Sequence, residues 1–474
     1  MRFASIIDGF VRITRKNYTD RPRCQALAAH ADRAVGRVVD TGSARTRPAD
    51  VDRYCIEVTT AQSADGPSMS AWSAEGSQRP RTGSSVRARF ADQSAVRGQN
   101  LDAVVRLVRA NGRCTRREIS EVLGFNKATV SSLVKDLIAA RLLEQEDAPL
   151  AQSPGRPSTF VRLDRLTHVC IVVEVLPESL VVSTWNLAGE RLSATLHSAR
   201  PAVDGPAQTL LRVGRVLRTV AAKVEAEGRL LGGVGVAVPG MVDTGLGELI
   251  VSGPLSWSHV PVREILAAKL GCDEALIDVE KFVNLATMAE WRRTSLSDLI
   301  YFDEGSAGLG VGAVVAGRML TGHRGRAGEL LLPERDHLAS KVSLHELGLD
   351  RLIDPPSGND ASEVARPRPV VLDAAGRSAV KRLTRTLTGH LAGLAALLDP
   401  QVVILGGQFC ALEPHIAEPL QRSLAKALAP ISQDHIEVRF GAYDREAAQV
   451  GGGLLVADRV VERLLAAAGS RSGG

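Results

Sequence analysis

The chain has 474 residues, 45% of them hydrophobic, the balance of an ordinary soluble protein with core enough for two or three domains. Its apolar runs are too short to cross a bilayer, and the N-terminal MRFASIIDGFVRITRK lacks a signal peptide's apolar region and cleavage site. Those features exclude a membrane span and make a cytoplasmic location the expectation. The formal charge of +5 is uneven, with +6 in residues 1–97, +3 in 98–165 and −4 in 166–474, which suits a basic reader of nucleic acid ahead of a mildly acidic body.

Residues 1–94 show no sustained periodicity, as in GPSMSAWSAEGSQRPRTGSS from Gly66 to Ser85, and read as a disordered tail or a start-site extension. Met69 can serve as an alternative start; the functional alternative is a basic arm that adds nonspecific DNA affinity. Residues 95–165 form the next unit. Asn100 to Asn111 predicts an amphipathic helix with Leu101, Val104, Val105 and Val108 inward. A second helix follows from Thr115, with Ile119, Val122 and Leu123 as its apolar stripe and Gly124 as its stop. Asn126 is a good N-cap for a third helix that buries Val130, Leu133, Val134 and Leu137. Lys127, Thr129, Ser132 and Lys135 then share a small, polar, basic outward face.

Two helices and a glycine turn fit an ordinary helical hairpin as well as a DNA reader. The neighbours favour the reader. A strand from Leu142, the turn SPGRP at Ser153 to Pro157 and a returning strand at Thr159 to Leu163 make a wing, with Arg156 at its tip. Lysines at a helix N-terminus suit phosphates, short hydroxyls suit base edges in a major groove, and an extended arginine suits a minor groove. Double-stranded DNA is the partner expected, bound by a homodimer or homotetramer because one such unit buries too little for strong specificity.

From His168 the pattern becomes α/β: VCIVVEVL, SLVVSTWNL and ERLSATLHS read as successive strands, then Thr209 to Glu227 as a helix and LGGVGVAVPG as a buried strand. Beyond it come a helix at Val262 to Leu270, a strand at Ala275 to Val279 and a helix through Leu285 to Trp291. A second lobe has strands at Asp298 to Phe302, Gly310 to Val315 and Gln401 to Leu405, a long helix at Arg377 to Leu398 and a final helix from about Glu446 to Ala467.

A winged helix-turn-helix followed by VGVAVPGMVD, VNLATMAEW, GLGVGAVVAGRMLTGHRGRAGE and VVILGGQ resembles the transcriptional regulators of the ROK family over roughly 95–465. The resemblance implies an α/β fold in which the reader precedes a two-lobed, actin-like ATPase (duplicated, ribonuclease H-like) domain at 166–474, with a sugar cleft between lobes. In the family's kinases the opening strand runs into an Asp-x-Gly-Gly-Thr-like turn that cradles ATP phosphates; here the stretch is Glu174-Val175-Leu176-Pro177-Glu178, with no glycine and one residue lacking an amide. The kinases' Asn-Asp-x-Asn is Lys281-Phe282-Val283-Asn284, so Phe282 stands at the place of the catalytic Asp and no base remains. Asn284 reads most simply as a helix N-cap.

Ser306-Ala307-Gly308 replaces Gly-Thr-Gly, and its glycines fit a tight hairpin better than a phosphate. Ala327-Gly328-Glu329 matches the family's Ala-Gly-Glu, leaving Glu329 as the last recognisable sugar ligand. The family's zinc loop is absent, and the six cysteines, Cys24, Cys55, Cys114, Cys170, Cys272 and Cys410, stand without a CxxC pair. His323, His337 and His345 have no cysteine partners and read as surface or packing residues, so neither metal nor cofactor is expected.

Three functions compete on these residues: a transcriptional regulator with a catalytically dead sugar-sensing domain, a DNA-binding protein whose second domain only dimerises, and an active sugar kinase. The missing base, cradle and clamp oppose the kinase, and the first reading, a repressor of carbohydrate-related genes, is preferred.

Overall fold

The computed structural model describes residues 85–147, 159–294, 296–305, 308–328, 371–431, 436–443 and 446–470. The reader opens with helix α1 (Ser85–Asn111), which begins fifteen residues ahead of the expected Asn100. Gly112, at φ +73°, ends it. Strand β1 (Arg113–Thr115) then leads into α2 (Arg116–Leu123), whose start is a reciprocal cap: Thr115 Oγ1 accepts from the Glu118 amide, and Glu118 Oε2 accepts from the Thr115 amide. Gly124 at φ +69° stops α2, and Asn126 Oδ1 accepts the Thr129 amide at 2.8 Å to start α3 (Lys127–Ala139). Strands β2 (Leu143–Asp147) and β3 (Thr159–Leu163) form the wing hairpin, and β1 pairs with β3 to give the order β1-β3-β2.

All four expected residues of α3 are buried, as are the four of α1 and Ile119. Val122 is a correction. It is 63% exposed, because α2 is only eight residues long and seats itself through Ile119 and Leu123, one turn apart.

Lobe one is a five-stranded sheet of β4 (His168–Val175), β5 (Ser179–Trp185), β6 (Arg191–Ser198), β7 (Leu230–Val238) and β11 (Ile277–Lys281), in the order β11-β7-β4-β5-β6. Between β6 and β7 lies α4 (Pro201–Ala226), kinked where Gly205 takes φ +76° before Pro206. Strands β8 (Met241–Asp243), β9 (Glu248–Ser252) and β10 (Trp257–Val260) make a small antiparallel sheet. Helix α5 (Val262–Leu270) leads into β11, and α6 (Phe282–Arg293) leaves it for lobe two.

Lobe two holds β12 (Leu299–Gly305), β13 (Gly308–Val315), β14 (Arg318–Met319), β15 (Val402–Gly407) and β16 (Glu437–Phe440), with α7 (Ala374–Leu398) and α8 (Glu413–Leu428) packed on its sheet. Its order, β14-β13-β12-β15-β16, repeats lobe one. In each lobe the first strand begins an antiparallel meander on one side and on the other pairs in parallel with the fourth strand, which pairs in parallel with the fifth. This internal repeat is the duplicated topology of an actin-like ATPase, so the expected fold class holds.

The last helix, α9 (Ala447–Ser470), crosses back to lobe one. Three consecutive glycines let it sit unusually close: a Cβ on Gly451 would overlap the Leu285 carbonyl of α6, one on Gly452 would meet Val172 at 2.7 Å, and one on Gly453 would meet the Trp185 ring at 2.5 Å. Glycine inside a helix otherwise costs about 0.5–1 kcal/mol, so close approach is the compensating gain. The far end of α9 enters the reader's core, where Val456, Ala457, Val460, Val461 and Leu465 join Leu101, Val105 and Ile119 in one apolar cluster. Among the described residues no helix is long and apolar enough to cross a membrane.

Candidate nucleic-acid interface and effector cleft

Lys127, Ser132 and Lys135 are exposed on α3 and Thr129 is half-buried, so these side chains lie away from the helix's buried stripe. Lys127 is the first residue of the helix, where free amides already favour an anion. An unanticipated contact flanks this face. Arg97 of α1 donates to Ser132 Oγ at 3.3 Å and pairs with Asp136, which neutralises the one acidic residue of α3. No local pattern marks that pair, since its members are 39 residues apart. Arg156 lies outside the described residues.

The end of β4, where the resemblance implies a nucleotide turn, runs into a short connection. Leu176 and Ser179 pair backbone to backbone at 3.0 Å, so Pro177-Glu178 form a tight hairpin turn that offers no cradle of amides. In lobe two, β12 and β13 stay paired up to Gly305 and Gly308. The glycines that follow serve packing: a Cβ on Gly310 would strike Val283, and one on Gly312 would strike Thr287, both on α6.

Behind the first turn, Glu174 is buried and accepts from Gln449 Nε2 at 3.1 Å; Ser183 donates to Gln449 Oε1, and Trp185 Nε1 donates to Ser183 Oγ at 2.7 Å. Burial, with the carboxylates of Asp303 and Glu446 adding to it, raises the Glu174 carboxyl from an ordinary 4.5 to about 7. A carboxyl raised on folding binds a proton in the folded state that the unfolded chain releases, so its contribution to stability falls as pH rises from 4.5 to about 7 and is level above that. Glu174→Gln is therefore expected to remove this slope and to stabilise the protein at pH 8 by on the order of 3 kcal/mol. Thermal melts of both proteins at pH 5 and pH 8 measure it; a gap that does not widen with pH contradicts it.

At the start of α6, Phe282 is half-buried and packs with Ala237, Leu285, Ala448 and Leu455. It can accept no proton. Lys281 is 1% exposed and its Nζ donates to the carbonyl of Ala327, one residue before Gly328, whose φ of +86° sets it against Val311. Asn284 is not the N-cap: the helix begins at Phe282, which puts Asn284 in its first turn, where Nδ2 donates to Glu280 Oε1 at 2.9 Å. Its Oδ1 is buried without a hydrogen-bond partner, a spare acceptor at the lobe boundary. Burial raises the Glu280 carboxyl. Near the same loop, Arg326 reaches toward Asp243 at 3.9 Å and Gly325 lies against Thr244, so the stretch just ahead of Ala327 in lobe two rests against the end of β8 and the residue after it in lobe one. Glu329, His337 and His345 lie outside the described residues; His323 is exposed.

The geometry defines a class: a winged helix-turn-helix fused through a shared core to a duplicated, actin-like domain, with a tight turn at Pro177-Glu178 and Phe282 opening the helix between its lobes. Comparison with known proteins makes the class particular. The ROK family model matches residues 198–330 and the MarR family model matches residues 99–151. The chain thus carries a ROK family domain behind a MarR-type winged-helix domain.

It is 24% identical over 232 residues to the xylose repressor of Caldicellulosiruptor bescii, a match covering 48% of this chain and 56% of that one. With the xylose repressor of Bacillus spizizenii it shares 22% identity over 244 residues, covering 51% and 62%. The chain therefore spans little more than half the length of these relatives. A crystal structure of a ROK family transcriptional regulator, a homolog of the E. coli MLC protein, superposes with a TM-score of 0.61 at 17% identity, covering 79% of this chain and 99% of that one, a likeness of fold.

Proposed function

We propose that this chain is a DNA-binding transcriptional repressor whose ROK domain, residues 166–474, senses a sugar and no longer phosphorylates it. Residues 95–165 read the operator, with Lys127, Thr129, Ser132 and Lys135 at the major groove and Arg156 in the adjacent minor groove. Two copies on a palindrome supply specificity, and the protein works in the cytoplasm. The observation that carries this reading is the seating of α9, which packs on α6, the helix that begins at Lys281-Phe282, and then completes the core of the reader. A ligand that changes how the lobes close about α6 has a continuous packed path to the DNA-binding helices.

Loss of phosphoryl transfer is supported by Phe282 in the place of the base and by the closed turn at Pro177. The two relatives named xylose repressor favour a pentose as effector. Glu329 and the spare acceptor of Asn284 are its candidate partners. The alternative, a domain that only dimerises, draws support from Lys281, whose ammonium already satisfies the Ala327 carbonyl.

A thermal-shift screen of the full chain against sugars, sugar phosphates and nucleotides separates the readings. Ligand at one hundred times Kd adds about 2.7 kcal/mol. A sugar-specific shift abolished in Glu329→Ala supports sensing; a flat panel supports the scaffold.

A further inference from the structure

Asp458 of α9 is 17% exposed and is shared by two arginines from different parts of the molecule. Its Oδ1 accepts from Arg109, near the C-terminal end of α1 in the reader, and its Oδ2 accepts from Arg292, the penultimate residue of α6. Besides its close packing against α9 and β13, polar contacts fix helix α6 near both ends. At its start Lys281 binds the Ala327 carbonyl of the lobe-two loop, and at its third turn the fully buried Glu290 accepts the amides of Ala442 at 2.6 Å and Tyr443 at 3.2 Å. Every residue from Val283 to Glu290 is buried, so the helix has no freedom to bend between those points and moves as one rod of roughly 15 Å.

We infer that Asp458 is the joint between the effector cleft and the DNA reader: a positioning residue through which α6 sets the placement of α1. The inference rests on the proposed function and adds the route of its regulation. One end of the rod begins at the residues that replaced the sugar-kinase motif, and the other ends on a carboxylate that also holds the reader. A carboxylate bridging two guanidiniums in a partly buried site is orientation-specific, because each arginine takes a different oxygen. A shift of α6 therefore forces either a shift of α1 or loss of one charged pair. Arg292 makes no described contact with the winged helix except through Asp458, so an effect of Arg292 on DNA binding must pass through this joint or through α9 itself.

The test uses the full chain and a duplex that the wild-type protein selects from genomic fragments, with affinity measured across a salt series. Arg292→Ala is expected to weaken binding at least five-fold without changing the salt slope, as it neutralises no phosphate. Arg292→Lys restores part of the loss. Asp458→Asn weakens binding at least as much, and the double variant Arg292→Ala with Asp458→Asn is no weaker than Asp458→Asn alone. Wild-type affinity in Arg292→Ala, or losses that add in full, overturns the joint. If the wild-type protein selects no duplex, the DNA-binding reading fails, and hydrogen exchange decides the joint alone. Asp458→Asn should speed exchange both in 101–111 and in 285–293; acceleration on one side only overturns the inference.

Discussion

Gly451→Ala is expected to destabilise the protein by about 3 kcal/mol or more, a large effect for one added methyl group. The new Cβ would overlap the carbonyl of Leu285 and stand 2.9 Å from its Cα, both backbone atoms of α6, so no side-chain rotation relieves the contact. Helix α9 must lift away, and with it go Val456, Ala457 and Val460 from the core they share with the winged helix. DNA affinity should fall together with the melting temperature. The contrasting pair is Gly389 and Gly393 on α7, which are exposed and where an added Cβ would meet nothing within 4 Å. Alanine there is expected to stabilise by about 0.5–1 kcal/mol each through helix propensity. Thermal unfolding of the three variants measures both signs, and an unaltered melting temperature for Gly451→Ala would mean that α9 is not seated on α6 as described.

Lys127→Ala combined with Lys135→Ala is expected to cut duplex affinity at least thirty-fold near physiological salt, on the order of 1 kcal/mol per lost phosphate contact. The slope of log affinity against log salt should fall by about 0.9 for each lysine in each reader. Thr129→Ala and Ser132→Ala should leave the slope alone and relax sequence preference, since short hydroxyls act on base edges. A double lysine variant with the wild-type slope would remove α3 from the groove.

Much of this architecture is legible in the sequence because it rests on local signals. The stripe Val130, Leu133, Val134, Leu137 and the Asn126 cap locate α3, and Val262 to Leu270 is found with the bounds of α5. The start of α1 is hidden because Ser85 to Gln99 has no apolar period, and α8 because Pro414 and Pro419 make its sequence read as a loop. The small sheet escapes because its strands have only three to five residues. The strand expected at Ala275 begins instead at Ile277, after a single 3₁₀ turn capped by Asp273.

At the candidate site the division is similar. Phe282 and the Pro177 turn are visible in motif form, whereas the partner of Lys281 is 46 residues away and that of Arg109 is 349 away, separations that no periodicity encodes. Asn284 is misread as a cap because the true N-cap, Lys281, has no side-chain acceptor and makes no capping hydrogen bond that would mark the boundary. The glycine triplet at 451–453 is a signal present in the sequence: three glycines in a predicted helix require a backbone approaching closely.

The most direct test of the account is fluorescence anisotropy of the full chain on a duplex it selects from genomic DNA, at about 0.15 M salt and with sugars titrated in, xylose first. The account predicts binding at least a thousand-fold tighter than to bulk DNA. It also predicts release by a sugar, with an affinity loss of at least ten-fold, on the order of 1.4 kcal/mol of coupling, and no phosphorylated sugar when ATP and magnesium are supplied. Selection of no duplex over bulk DNA, or conversion of sugar to sugar phosphate by the purified chain, would contradict it.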